Sequence, residues 1–242
     1  MNDTSRPLSA TLVTPGTWTP APVKLLGSLI GGDLVFMLLH WLHLHSGVLG
    51  SELWAIDHDR GYAEMFQYLK YLGVMLALAR LFGRIRLPML LLWIGVYGFL
   101  LLDDSMRIHE RFGLHMMAWA HLDDFGGLRG RDLGELIYAA LGAAALAPVL
   151  VLGYVRSSPM ARAISADLLL LLIALLLFAV GGDAIHRLLS GTALDAFAAI
   201  LEDGGEMLVL SITCWYAARY SGSSDPNARM SDRAGDPVRN YL

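Results

Sequence analysis

Eight residues of this chain have the types and spacing to hold a metal ion or to move protons. They are Asp104, His109, Asp183, His186, Glu202 and Glu206, with Glu110 and Asp203 beside them. They fall in three short patterns: DD-x-x-x-x-HE from Asp103 to Glu110, D-x-x-H from Asp183 to His186, and ED-x-x-E from Glu202 to Glu206. A carboxylate and an imidazole three residues apart meet on one helix face, as the Glu-x-x-His pairs of di-iron bundles do. Glu202 and Glu206 are four apart and share a face, and Asp195 extends the same stripe. Carboxylates crowded on one face repel each other, so they must hold protons, meet arginines or coordinate a cation. Imidazole mixed with carboxylate favours zinc, iron or manganese over calcium or magnesium. The first six residues are therefore the expected ligands of a divalent transition metal. Glu110 or Asp203 is the expected general base.

Each pattern also has a plainer reading. If one helix runs through 103–110, Arg107 pairs with Asp103 four residues back and with Glu110 three ahead. That leaves Asp104 and His109 to be explained. Asp183 has Arg187 four residues on, and His186 then needs only a hydrogen-bonding neighbour. Glycine pairs touch acidic residues at Gly31-Gly32, Gly181-Gly182 and Gly204-Gly205. Such pairs let membrane helices approach closely, or they loosen a helix beside a site.

The elements that must position these groups are helices in a membrane. Of 242 residues 55% are hydrophobic, and mean hydropathy is +0.51. A soluble domain has about 45–50% apolar residues. The excess lies in long blocks, each near the ~20 residues that a span requires. The spacing predicts an all-α, polytopic membrane bundle of six helices at 23–45, 64–83, 87–105, 134–155, 166–188 and 194–218. The long connection 106–133 carries Leu114, Met116, Met117 and Trp119, which predicts a short helix on the outer surface. Gly126-Gly127 and Gly130 are expected to end it. Residues 1–22 read as a mobile cytoplasmic segment, 23–220 as the transmembrane domain and 221–242 as a disordered cytoplasmic tail. The polar, Pro-rich start has no basic stretch followed by a short apolar core, so the first helix itself is expected to direct insertion.

Lys and Arg set the orientation. Arg80, Arg84, Arg86, Arg156, Arg162 and Arg219 mark one side as cytoplasmic, which puts both termini there. All eight histidines and most acids then fall in the outer half. Asp33 is expected at mid-membrane, with Lys70 its partner by depth. The preference for Arg over Lys, with many Ala, Gly and Leu, matches a bacterial inner membrane protein by composition.

Several classes drop out. A net charge of -4 without a basic patch excludes a nucleic-acid partner. A single cysteine, Cys214, cannot form an internal disulfide. There is no His-Glu-x-x-His, Walker loop, G-x-S-x-G or dinucleotide fingerprint. The expected function is a metal-dependent membrane hydrolase or oxidoreductase acting on a lipid or another apolar substrate. The alternatives are a proton- or cation-coupled transporter or channel using Asp33, Lys70, Asp183, Glu202 and Glu206, haem bound by His40, His109 or His186, and a structural membrane subunit.

Overall fold

A computed structural model describes residues 20–46 and 49–221. Most of the N-terminal segment 1–22 and of the tail 221–242 lies outside the described residues. Among those described the chain is helical, with no strand. Eight helices follow one another: α1 (Pro20–Ser46), α2 (Tyr62–Ile85), α3 (Met89–Met106), α4 (Ile108–Ala120), α5 (Gly130–Val155), α6 (Pro159–Leu176), α7 (Asp183–Leu189) and α8 (Asp195–Ser221). A wide π-type turn, Leu177–Gly182, joins α6 to α7 so that they run on as one rod. Four segments are long and apolar enough to cross a membrane: Val23–Ser46, Met89–Met106, Gly130–Val155 and Pro159–Leu189.

The two remaining long helices, α2 and α8, carry more charge but form the middle of the bundle. They pack on each other, with α1 and α6 against α8 and α3 against α2. Trp93, Tyr97, Leu78, Leu90, Leu168 and Leu210 fill the space between them. The outside is as apolar as the inside. On α5 only Gly130, Asp132 and Gly134 are buried; Leu146 and Leu150 lean on the core, while Leu141, Val149, Val151, Leu152 and Val155 face outward. Leu34, Val35, Leu38 and Trp41 do the same on α1. Meanwhile Asp33, His40, Lys70 and Asp167 are buried. Apolar residues outside with ionisable ones inside is how a helix bundle suits lipid rather than water.

Lys70 is a buried cation, 2% exposed. Its Nζ donates to Asp33 Oδ1 at 2.7 Å, to the Met207 carbonyl at 2.8 Å and to Ser211 Oγ at 3.3 Å. Ser211 in turn donates to Asp33 Oδ2 at 2.5 Å. The pairing expected from depth is present. All three ammonium protons are used, so the network ties α1, α2 and α8 together at one level.

The structure differs from the expectation in the connection 106–133. Helix α4 is there, but it ends at His121 in the left-handed conformation, five residues before Gly126. Gly126 and Gly127, with φ of 61° and 89°, instead make the tight turn between Phe125 and Leu128. Gly130 opens α5 rather than closing α4. The cause is the N3 carboxylate: the Arg129 N–H donates to Asp132 Oδ2 at 2.9 Å, which starts α5 four residues earlier than hydropathy alone placed it. Helix α4 packs antiparallel along these first turns of α5, with Phe112 on Tyr138 and Gly113 on Gly134.

Candidate metal site at the α3–α4 junction

The candidate site begins with a break in the backbone. Arg107 takes the left-handed conformation, φ 53°, and ends α3. Its N–H returns to the Asp104 carbonyl at 3.0 Å. Residues 103–110 are therefore two helix ends, not one helix, and a helical wheel drawn through them fails. Arg107 does not meet Asp103. It reaches Asp59 at 2.9 Å and clasps Glu110 with Nε at 2.8 Å and with Nη2.

Asp103 is released to serve the next helix. Its Oδ1 accepts the His109 backbone N–H at 3.0 Å, satisfying an otherwise unpaired donor at the start of α4. The same oxygen accepts the Tyr138 hydroxyl at 2.9 Å, and Oδ2 lies 3.2 Å from His109 Nδ1. Asp103, Asp104 and His109 thus offer ligand atoms that all lie within 4.8 Å of one another. Asp104 accepts from the Tyr71 hydroxyl, and its charge is felt by Glu206 on α8. Burial works against a charge on His109, but the bond to Asp103 and the two aspartate charges outweigh it and lift the imidazole to about 9. Glu110 shows the opposite balance: burial pushes its carboxyl up, yet Arg107 and Arg131 prevail and hold it below the ordinary range. Arg131 Nη2 lies 2.5 Å from Glu110.

A second cluster sits where α7 meets α8. The π-type turn brings Gly182 against Glu202, close enough that a Cβ on Gly182 would stand 3.0 Å from the Glu202 Cα. That approach sets His186 between two acids, with Nδ1 2.6 Å from Glu202 Oε2 and Nε2 3.1 Å from Asp195 Oδ1. Both bonds form only if the ring carries two protons or one acid is protonated. Asp183 takes Arg187 at 3.3 Å, as the plainer reading had it. Glu206 accepts from Gln67 Nε2 at 3.1 Å. Asp203 accepts no side-chain hydrogen bond among the described residues, and the negative charges of Glu206, Glu202, Asp57 and Asp183 act on it.

The six expected ligands therefore fall into two groups. Asp104 and His109 belong to the α3–α4 junction, and Asp183, His186 and Glu202 to the α7–α8 cluster. Glu206 lies electrostatically between them, responding to Asp104 and to Glu202. Asp103, Tyr71 and Tyr138 were missed by sequence reasoning. Only the adjacency of Asp103 to Asp104 pointed to the first, and nothing in the spacing pointed to the tyrosines. His40 also resolves. Its Nδ1 accepts the Ile56 N–H at 3.1 Å, which leaves the proton of a neutral ring on Nε2 and removes the lone pair a haem iron would need there.

A family model described as a domain of unknown function (DUF8692) matches residues 34–220, which includes every residue of both clusters. No curated protein and no solved structure matches the chain. With more than three quarters of its length inside the match, the chain belongs to the DUF8692 family.

Proposed function

We propose that this protein is a six-span membrane protein that holds a divalent transition metal at the α3–α4 junction. The observation that carries the reading is the convergence of Asp103, Asp104 and His109 within 4.8 Å. Asp104 and the Nε2 of His109 are the direct ligands. Asp103 already accepts two other donors, so it suits the supporting position, fixing the ring through Nδ1 as carboxylates behind metal-bound histidines commonly do. Glu206, whose carboxyl interacts with the Asp104 charge, is the carboxylate we assign to the remaining position. Zinc, iron or manganese fits this oxygen–nitrogen donor set.

Such an ion, when bound with an open position, activates water or polarises a carbonyl or phosphoryl oxygen. Asp203 is the base available to it, because Glu110 is committed to two arginines. On this reading the substrate is a lipid or another apolar molecule reaching the site from the surrounding bilayer. The site faces the exterior of a bacterial inner membrane with both chain ends in the cytoplasm. The α7–α8 cluster is not part of the metal site here, since His186 and Asp183 are already matched by their neighbours. Transport is disfavoured by the Lys70 network, whose donors are all engaged and offer no vacant step for a proton.

Metal analysis of the detergent-purified full chain tests this. Wild type should retain about one equivalent of zinc, iron or manganese. Asp104→Asn and His109→Ala should lose it. Asp103→Asn should bind about 10–100-fold more weakly, the cost of losing a supporting carboxylate. Asp183→Ala should bind as wild type does. No metal in wild type, or loss in Asp183→Ala but not in His109→Ala, overturns the assignment.

A further inference from the structure

We infer that the protein binds a phosphate group in an arginine-lined cavity beside the α3–α4 junction, and that two guanidiniums there are free to do so. The cavity measures about 450 Å³ and opens between the turn before α2, the junction itself, and the first turns of α4 and α5. Arg60, Arg107, Arg111 and Arg131 line it, with Asp59 and Glu110 as the acids. Four guanidiniums stand against these two carboxylates and Glu135, which holds Arg131 from outside the lining, so one net positive charge remains.

Their pairing is uneven. Arg107 and Arg131 are held by Asp59, Glu110 and Glu135. Arg60 and Arg111 are exposed, and among the described residues neither forms an ion pair with a carboxylate. These two line the same concavity as the paired Arg107 and Arg131. Arg107 is fixed in the left-handed conformation, and Arg131 is clamped on both sides. The first turn of α4 adds the positive end of a helix dipole. Guanidinium forks match the oxygens of a tetrahedral oxyanion, and donors on four elements surround such a group better than they would a planar carboxylate. The two unpaired guanidiniums offer forks for the oxygens of a phosphate monoester. Leu114 supplies an apolar wall, 46% exposed, on the side that continues into the outward face of α4. The cavity lies at the end of α3, one of the segments apolar enough to cross a membrane, where lipid phosphates would be met. This site stands whether or not a cation binds at Asp104 and His109.

The test is titration calorimetry on the full chain in detergent at constant ionic strength. The probes are inorganic phosphate, dihexanoyl phosphatidic acid and dihexanoyl phosphatidylcholine. Binding of phosphate or of the phosphatidic acid, weakened about tenfold or more in the Arg60→Ala/Arg111→Ala double variant, is the expected result. Equal affinity for the two monoanionic-to-dianionic probes assigns the site to free phosphate. Tighter binding of phosphatidic acid assigns it to a lipid headgroup. Arg60→Lys/Arg111→Lys keeps the charge but loses the forks, and an intermediate affinity is expected from it should the alanine variant fail to fold. Binding that is unchanged in both double variants, or phosphatidylcholine binding as tightly as phosphatidic acid, overturns the proposal, as does no binding of either phosphate probe.

Discussion

At the scale of single residues, the left-handed Arg107 decides the chemistry of its neighbourhood. Had α3 continued, Arg107 would have neutralised Asp103 and left no carboxylate for His109. Because the helix stops there, Asp103 accepts from His109 twice, once at the backbone and once at the ring. The consequence for pH has a definite sign. His109 in the folded protein titrates at about 9, above the ordinary histidine value near 6.5. A raised pKa means that the folded state holds the proton more tightly than the unfolded chain does. The stabilisation is complete below about 6.5 and disappears as pH rises through about 9. Thermal unfolding of the chelator-treated protein should therefore show a midpoint that falls between those values, and Asp103→Asn should flatten the decline. In the presence of zinc the trend reverses, because a metal competes with the ring proton and gains as pH rises. A wild-type midpoint that is flat from pH 6 to 10 without metal would remove Asp103 as the partner of His109. Spacing showed that Asp104 and His109 needed an explanation. It did not show the break, because an arginine in the left-handed conformation leaves no mark in a sequence as a glycine does.

At the scale of elements, the site depends on how closely α4 lies against α5. The two backbones meet at Gly113 and Gly134: a Cβ on Gly134 would stand 2.6 Å from the Gly113 carbonyl oxygen, and a Cβ on Gly113 would stand 2.9 Å from that of Arg131. Backbone atoms cannot swing aside as a long side chain can. Gly113→Val should push α4 off α5, carry His109 away from Asp103 and abolish metal retention, while the remaining bundle stays folded. Paired cysteines at Phe112 and Tyr138 would report the separation, crosslinking readily in an otherwise wild-type chain and poorly in Gly113→Val. Efficient crosslinking in both would show that the close approach is dispensable. Hydropathy made the six long helices legible, and the apolar stretch 114–119 made α4 legible. The direction of α4 was hidden, since Gly113 in an amphipathic stretch reads as a weak helix position rather than as a contact point. Likewise the D-x-x-H spacing was visible, but the π-type turn that rotates His186 onto Glu202 was not.

At the scale of the whole molecule, the bundle is held by a charge pair placed where no water competes for it. Lys70 and Asp33 are 2% and 0% exposed, and α8 closes around them with Ser211 and the Met207 carbonyl. Burying two charges is costly, and their mutual attraction returns that cost only while both are present. The contribution to stability is thus small as a pair and large when broken. Lys70→Met leaves a carboxylate in an apolar interior with one hydroxyl for company and should destabilise the protein by about 3–5 kcal/mol. Adding Asp33→Leu removes the stranded charge and should recover most of that loss, although the aspartate change alone is also harmful. Unfolding in mixed detergent micelles across this four-member cycle gives the coupling directly. Additive losses, with the double variant the least stable of the four, would mean that each residue acts through its own packing and that α1, α2 and α8 are joined by shape rather than by charge. Recovery in the double variant, by contrast, would explain why a helix carrying Lys70 occupies the centre: its ammonium is tolerable there only where α1 brings the opposite charge and α8 the neutral acceptors.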